Sequence, residues 1–306
     1  MIHGIINVYK EKGYTSHDVV AKLRGIVGQK KIGHTGTLDP DAVGVLPVCL
    51  GRATKVCDLL TEKDKTYEAV LLLGVETDTQ DTSGEVLRRG ETETISEEQV
   101  RQAILSFVGE YDQVPPMYSA LKVNGKKLYE LAREGKTVER KARRVQIHQI
   151  HILEVDLPRV RMEVECSKGT YIRTLCNDIG EKLGCGGCME ALTRTKVSCF
   201  TLQESLTLDE IAQKKAEGTL DEILMPIDAM FPQYPKIVVK KKWEKLAYNG
   251  NMLYAKSIHR NLDEEEKTIQ DGAQVRLYNE AGQFLAIYQY TASREEFSIV
   301  KMFYSP

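Results

Sequence analysis

One run near the start of the chain restricts the fold more than any other: Gly33-His34-Thr35-Gly36-Thr37-Leu38-Asp39-Pro40-Asp41-Ala42-Val43-Gly44-Val45-Leu46-Pro47. Pro40 has no N–H to donate and biases Asp39 out of the α region, so no helix passes through this segment. Glycines and prolines crowd one carboxylate, Asp39, and the run then opens into the apolar stretch 45–50. The pattern predicts a shaped loop feeding a buried strand, and shaped loops on rigid scaffolds are where chemistry concentrates. Asp39-Pro40 alone is only a turn signal. The independent constraints around it raise the segment above that.

A chain of 306 residues holds enough material for a large core and two domains. No apolar run approaches the roughly 18 residues that cross a bilayer, and the start lacks a signal-peptide plan. Seven scattered cysteines, several in apolar contexts, predict reduced thiols in a cytoplasmic protein rather than a disulfide framework. The net charge of −2 does not announce a polyanionic partner, but its distribution does. Between Ser119 and Arg144 nine basic residues face three acidic ones, and Lys236, Lys240, Lys241, Lys242 and Lys245 face Glu244 alone.

Local patterning predicts an α+β fold with a largely antiparallel sheet. Strands are expected at 2–9, 45–50, 67–74, 144–155 and 160–166, the fourth with a bulge where its apolar phase slips between Ile147 and Ile150. Helices are expected from Ser16, as the cap, through Ile26, over 53–60, after the capping box at Ser96–Gln99, and over Ile172–Leu183. Pro226, Pro232 and Pro235 mark a boundary, beyond which short strands at 237–239, 274–278, 284–290 and 297–303 predict a small β-rich domain.

Four motifs on separate parts of the chain belong together. They are G-H-T-G-T-L-D-P at 33–40, D-K-T-Y at 64–67, C-S-K-G-T-Y-I-R at 166–173 and Q-V-P-P-M-Y-S-A-L-K at 113–122. In combination they resemble the TruB-type tRNA pseudouridine synthases, from about Gly4 to Phe200 at motif level. The resemblance implies a pseudouridine-synthase catalytic domain over 1–230 with a mixed, largely antiparallel sheet flanked by helices. It also implies a basic, thumb-like RNA-binding segment near 113–144 and a PUA-like domain over 235–306. The implied reaction converts uridine to pseudouridine at position 55 in the T loop of tRNA.

That reaction breaks N1–C1′, turns the base and joins C5 to C1′. Nothing is oxidised, so it asks for no redox cofactor, but it needs a carboxylate beside the sugar and base. By resemblance Asp39 is that carboxylate, Arg173 holds it, Tyr67 meets the base, His34 helps open the RNA loop and Leu192 packs in the site. Tyr118 lies in the 113–122 motif, and Lys10, Lys122, Lys126, Lys127 and Arg144 are expected to hold RNA backbone. The Lys10 motif departs from the family's K-P-x-G, since Glu11 replaces the proline. The implied partner is tRNA, through its T arm and acceptor stem, bound by a monomer without cofactor, metal or membrane.

Other readings are weaker. Gly33-His34-Thr35-Gly36 is too short to specify a KH module, and no P-loop string occurs. Cys185-Gly186-Gly187-Cys188 lacks the second ligand pair of a zinc site, and 78–84 lacks the closing glutamate of an EF-hand. A retaining glycosidase needs a second carboxylate about 5 Å away. A catalytically idle RNA-binding protein would not need Asp39, Tyr67 and Arg173 all intact.

Overall fold

The computed structural model describes residues 1–123, 125–259 and 269–304; within the predicted C-terminal domain, 260–268 and 305–306 lie outside them. A nine-stranded mixed sheet forms the first body. Its main path runs Gly4–Lys10, Val43–Leu50, Gly187–Val197, Lys65–Leu73, Arg159–Cys166, Arg143–Asp156, Gly109–Gln113. Ile32–His34 and Phe200–Thr201 add to it at the sides. Every pairing is antiparallel except one, where Thr193 and Arg194 run parallel to Val43 and Gly44. That seam joins the antiparallel pair Gly4–Lys10 and Val43–Leu50 to the rest of the sheet, and the Asp39 loop enters the sheet there.

The strands form where the sequence alternates. In Lys65–Leu73 the odd-numbered residues are buried and the even-numbered ones partly exposed. Val160, Met162, Val164 and Cys166 are fully buried opposite them. The expected bulge appears as a register shift between Ile147 and Gln149. Helices Glu97–Leu105 and Ile172–Lys182 cover this part of the sheet. Helices Ser16–Val27 and Leu208–Glu217 cover the pair Gly4–Lys10 and Val43–Leu50. No described helix is long and apolar enough to cross a membrane.

Two local expectations need correction. The first helix is capped by Thr15, in a capping box with Asp18, and Ser16 is its first residue. Ser16 turns inward instead, and its hydroxyl accepts from the Leu38 N–H at 2.9 Å. The expected 53–60 helix is a 3-10 stretch, Gly51–Val56, running into a short α-turn, Cys57–Thr61. A six-stranded sheet forms the C-terminal part, beginning at Lys236–Val239. It is joined to the first body by a buried cluster in which Phe231, Ile287 and Phe303 meet Ile5, Val45 and Phe200.

Candidate active site

The Asp39 loop is held from beneath at several points. Leu38 N–H donates to Ser16 Oγ, Gly13 N–H donates to the Pro40 carbonyl at 2.9 Å, and Thr35 N–H donates to the Pro47 carbonyl at 3.2 Å. Lys10 is fully buried, and its Nζ donates to the carbonyls of Ala42 (2.5 Å), Pro40 (3.1 Å) and Glu11 (3.3 Å). The structure therefore places Lys10 under the loop and not on an RNA-facing surface. Burial lowers its pKa to about 8, against the opposing pull of Asp39.

Arg173 is the centre of the site. It is 5% exposed, in the first turn of Ile172–Lys182. Its Nε meets Asp39 Oδ2 at 3.0 Å and its Nη2 meets Oδ1 at 3.4 Å, a two-point grip on the carboxylate. Nη1 donates to the Thr79 carbonyl at 3.0 Å and reaches Asp81 Oδ2 at 3.4 Å. Nη2 also donates to the Tyr118 carbonyl at 2.9 Å. The planar fork is thus committed on every side, which fixes its rotation and aims Asp39. The helix itself starts where Gln113 clamps Tyr171, accepting from its N–H at 2.8 Å and donating to its carbonyl at 3.0 Å.

Asp39 keeps a side chain 42% exposed, open to a substrate, although its surroundings are dense. Burial raises its pKa, and the guanidinium of Arg173 pulls the other way. Leu38 and Ala42 of the loop share one buried cluster with Tyr67, Leu192 and Ile172. Tyr67 is 8% exposed, and burial pushes its hydroxyl above the usual range for tyrosine. Leu192 stands opposite Ala69, on the strand beside that of Tyr67. The sequence-derived set Asp39, Tyr67, Arg173 and Leu192 is therefore brought together.

His34 lies at the loop's entry. Its ring meets that of His17 edge-on at 5.4 Å, beside a depression of about 290 Å³ that Val20, Arg24, Ile32 and Gly33 also line. Burial lowers its pKa, with the charge of Arg194 adding to the effect. Tyr118 contributes its carbonyl to Arg173, while its hydroxyl donates to Asp78 at 3.2 Å. Lys122, Lys126 and Lys127 lie on a two-stranded antiparallel ladder in which Lys122 faces Lys127 and Val123 faces Lys126. Arg144 is exposed but already engaged, by Asp112 at 2.7 and 2.9 Å and Glu110 at 2.7 Å.

Two residues of the site escape the sequence reading. Asp81 lies in the 78–84 string that resembles a calcium loop, and it serves instead as a second carboxylate on Arg173. No group of metal-ligating side chains occurs among the described residues. Arg194 is 1% exposed and sits across from Tyr67. Its signal was positional: it lies two residues after Leu192 on one strand, hence on the same inward face.

Among solved structures, an H/ACA RNP bound to a substrate RNA containing 2'-deoxyuridine aligns with a TM-score of 0.71 at 25% identity, over 99% of this chain and 86% of the other. A Cbf5-Nop10-Gar1 complex aligns with a TM-score of 0.70 at 27% identity, over 99% and 85%. Residues 24–172 match the TruB family pseudouridylate synthase (N terminal domain), so fold and site define a pseudouridylate synthase. Residues 173–232 match the tRNA pseudouridylate synthase B C-terminal domain. The tRNA pseudouridine synthase B of Lachnoclostridium phytofermentans is 55% identical, covering 99% of this chain and 100% of its own. That of Alkaliphilus oremlandii is 49% identical, covering 86% and 88%. The chain belongs to the TruB family of pseudouridylate synthases.

Proposed function

We propose that this enzyme isomerises uridine to pseudouridine in tRNA, at position 55 of the T loop. The observation that carries the reading is the Asp39 carboxylate, gripped by a buried arginine at the open end of a pinned loop. When N1–C1′ breaks, C1′ develops positive character, and an aimed carboxylate meets it by attack or by charge. C5 then joins C1′, gives up its proton to solvent, and N1 takes one, so protons and electrons balance. Tyr67 and Leu192 form the apolar wall for the base, and His34 stands where the RNA loop must open. Extruding the nucleotide costs a few kcal/mol, which this wall offsets.

The substrate's T arm is read along the 113–144 segment and its acceptor stem by the domain over 235–306, bound by one monomer in the cytoplasm. The basic clusters of both regions support this reading. The test is Asp39→Asn with unmodified tRNA. The variant is expected to bind tRNA with wild-type affinity and form no pseudouridine in single-turnover mass analysis. Measurable turnover would remove Asp39 from its role.

A further inference from the structure

Arg194 is buried at the seam where the Asp39 loop enters the sheet, in register with Gly44 across the parallel pairing. Its guanidinium reaches both ends of that loop. Nη2 donates to the Gly36 carbonyl at 3.3 Å, just after the strand Ile32–His34. Nε donates to the Val45 carbonyl at 2.7 Å, within the strand Val43–Leu50. Nη1 lies 3.6 Å from where a Cβ on Gly36 would stand, so the guanidinium packs over that glycine. A guanidinium holds its donors in one rigid plane and can bridge two carbonyls at once. Taking such a cation out of water carries a desolvation cost that an apolar side chain of similar volume avoids. What the cation supplies in return here is the bridge between Gly36 and Val45.

The buried cations of the site divide the task. Lys10 takes the carbonyls of Pro40 and Ala42 in the middle of the loop, and Arg194 takes those at its ends. Between them Ser16 Oγ holds the Leu38 N–H, and the Ala42 N–H donates to the Asp39 carbonyl at 3.1 Å. With ends and middle fixed, the Asp39 carboxylate is delivered to the fork of Arg173. We propose that Arg194 is a positioning residue for the isomerisation: by clamping both ends of the loop it keeps the Asp39 carboxylate in the grip of Arg173. The inference rests on the proposed isomerase function. Arg194 is sealed from solvent and so meets no RNA phosphate, and its loss falls on the rate and not on tRNA affinity. A loosened loop also changes the ionisation of Asp39. The guanidinium of Arg173 pulls its pKa down against burial, and Asp81, Lys10 and Asp41 are the other charges that face it. Slipping out of that grip raises the pKa, so less of the carboxylate is ionised at a given acidic pH.

The experiment compares wild type, Arg194→Met and Arg194→Lys in three measurements: single-turnover rate against pH, tRNA Kd, and amide hydrogen exchange of the free protein. Arg194→Met is expected to slow turnover on the order of 100-fold, with Kd within about 3-fold of wild type. The acid limb of its rate profile is expected to move to higher pH. Exchange at 37–42 is expected to quicken by about 10-fold or more, while the amides of Lys65–Leu73 keep their protection. Arg194→Lys keeps the charge but bridges the two carbonyls poorly, so it is expected to recover part of the rate and part of the loop's protection. A rate for Arg194→Met within about 3-fold of wild type overturns the proposal, since a misplaced carboxylate costs far more. So does a slow variant whose acid limb stays in place and whose exchange rises evenly across the sheet, which marks support of the fold alone. If Arg194→Met is insoluble, Arg194→Lys decides: slower turnover with loop exchange unchanged overturns the clamp. The exchange readout needs no turnover. Failure of the wild-type enzyme to form pseudouridine would therefore remove the proposed function while the clamp itself is still tested.

Discussion

Lys10 separates what a residue type suggests from what its surroundings make of it. A lysine beside a predicted RNA site reads as a phosphate contact. Its Nζ is instead spent on three carbonyls, two of them within the Asp39 loop. Lys10→Met is therefore expected to leave tRNA affinity and its salt dependence unchanged while lowering kcat about 10-fold, as a loosened loop misplaces Asp39. A second signature is thermodynamic. The folded pKa near 8 lies below the ordinary lysine value, so the unfolded chain holds more protons between pH 8 and about 10.5. Wild-type stability relative to Lys10→Met should then rise with pH through that window, in denaturant titrations. A flat difference would mean that Lys10 is not desolvated. Asp39, Tyr67 and Arg173 were legible because each sits in a multi-residue string. Asp81 and Arg194 were not, since their meaning comes from tertiary partners 92 residues away (Arg173 for Asp81) or across a strand pair.

At the scale of elements, the phases and caps were readable. The Ser96–Gln99 capping box, the bulge after Ile147 and the strand alternation all follow from local physics. What local physics misjudged was Ser16, because the choice between capping and bracing the loop at Leu38 is made by a strand turn 22 residues on. The loop's glycines carry the same lesson. Gly44, which ends the loop, is pressed against its own sheet. With φ near +106, a Cβ there would lie 2.3 Å from the Arg194 carbonyl oxygen. The parallel seam closes only because that Cβ is missing. Gly44→Ala is expected to cost roughly 3 kcal/mol or more, through backbone strain and a clash that no side chain can relieve. Gly169→Ala is the control. It also has positive φ but meets nothing within 4 Å, so its cost should stay near 1 kcal/mol. Thermal melts of the two variants compare them directly, and equal losses would show that crowding at the seam is not what demands glycine.

Across the whole molecule, charge must be counted after pairing. The 119–144 segment carries six net positive charges by sequence, but the fold spends them unevenly. Arg144 is neutralised by two carboxylates on the neighbouring strand. Lys126 and Lys136 share Glu134, at 3.8 and 2.7 Å, which leaves that trio positive overall. Lys122 is exposed, and Lys127 Nζ donates to the Tyr129 hydroxyl at 3.2 Å. A phosphate gains from a cation by releasing counterions, and a cation held by two carboxylates has few to release. The lysine ladder should therefore carry the salt dependence of tRNA binding, and Arg144 should not. Replacing Lys122, Lys126 and Lys127 together with glutamine is expected to weaken tRNA binding and to flatten the plot of log Kd against log salt. The slope should fall by roughly one unit for each phosphate that no longer has a lysine beside it. Arg144→Gln should leave that slope within error of wild type, although the carboxylates it frees will repel RNA and weaken binding at low salt. A slope change for Arg144→Gln equal to that of one lysine would mean that its ion pairs open to receive phosphate. The basic track would then extend onto the central sheet, toward the strand pair that carries Gln113 and the start of the Arg173 helix.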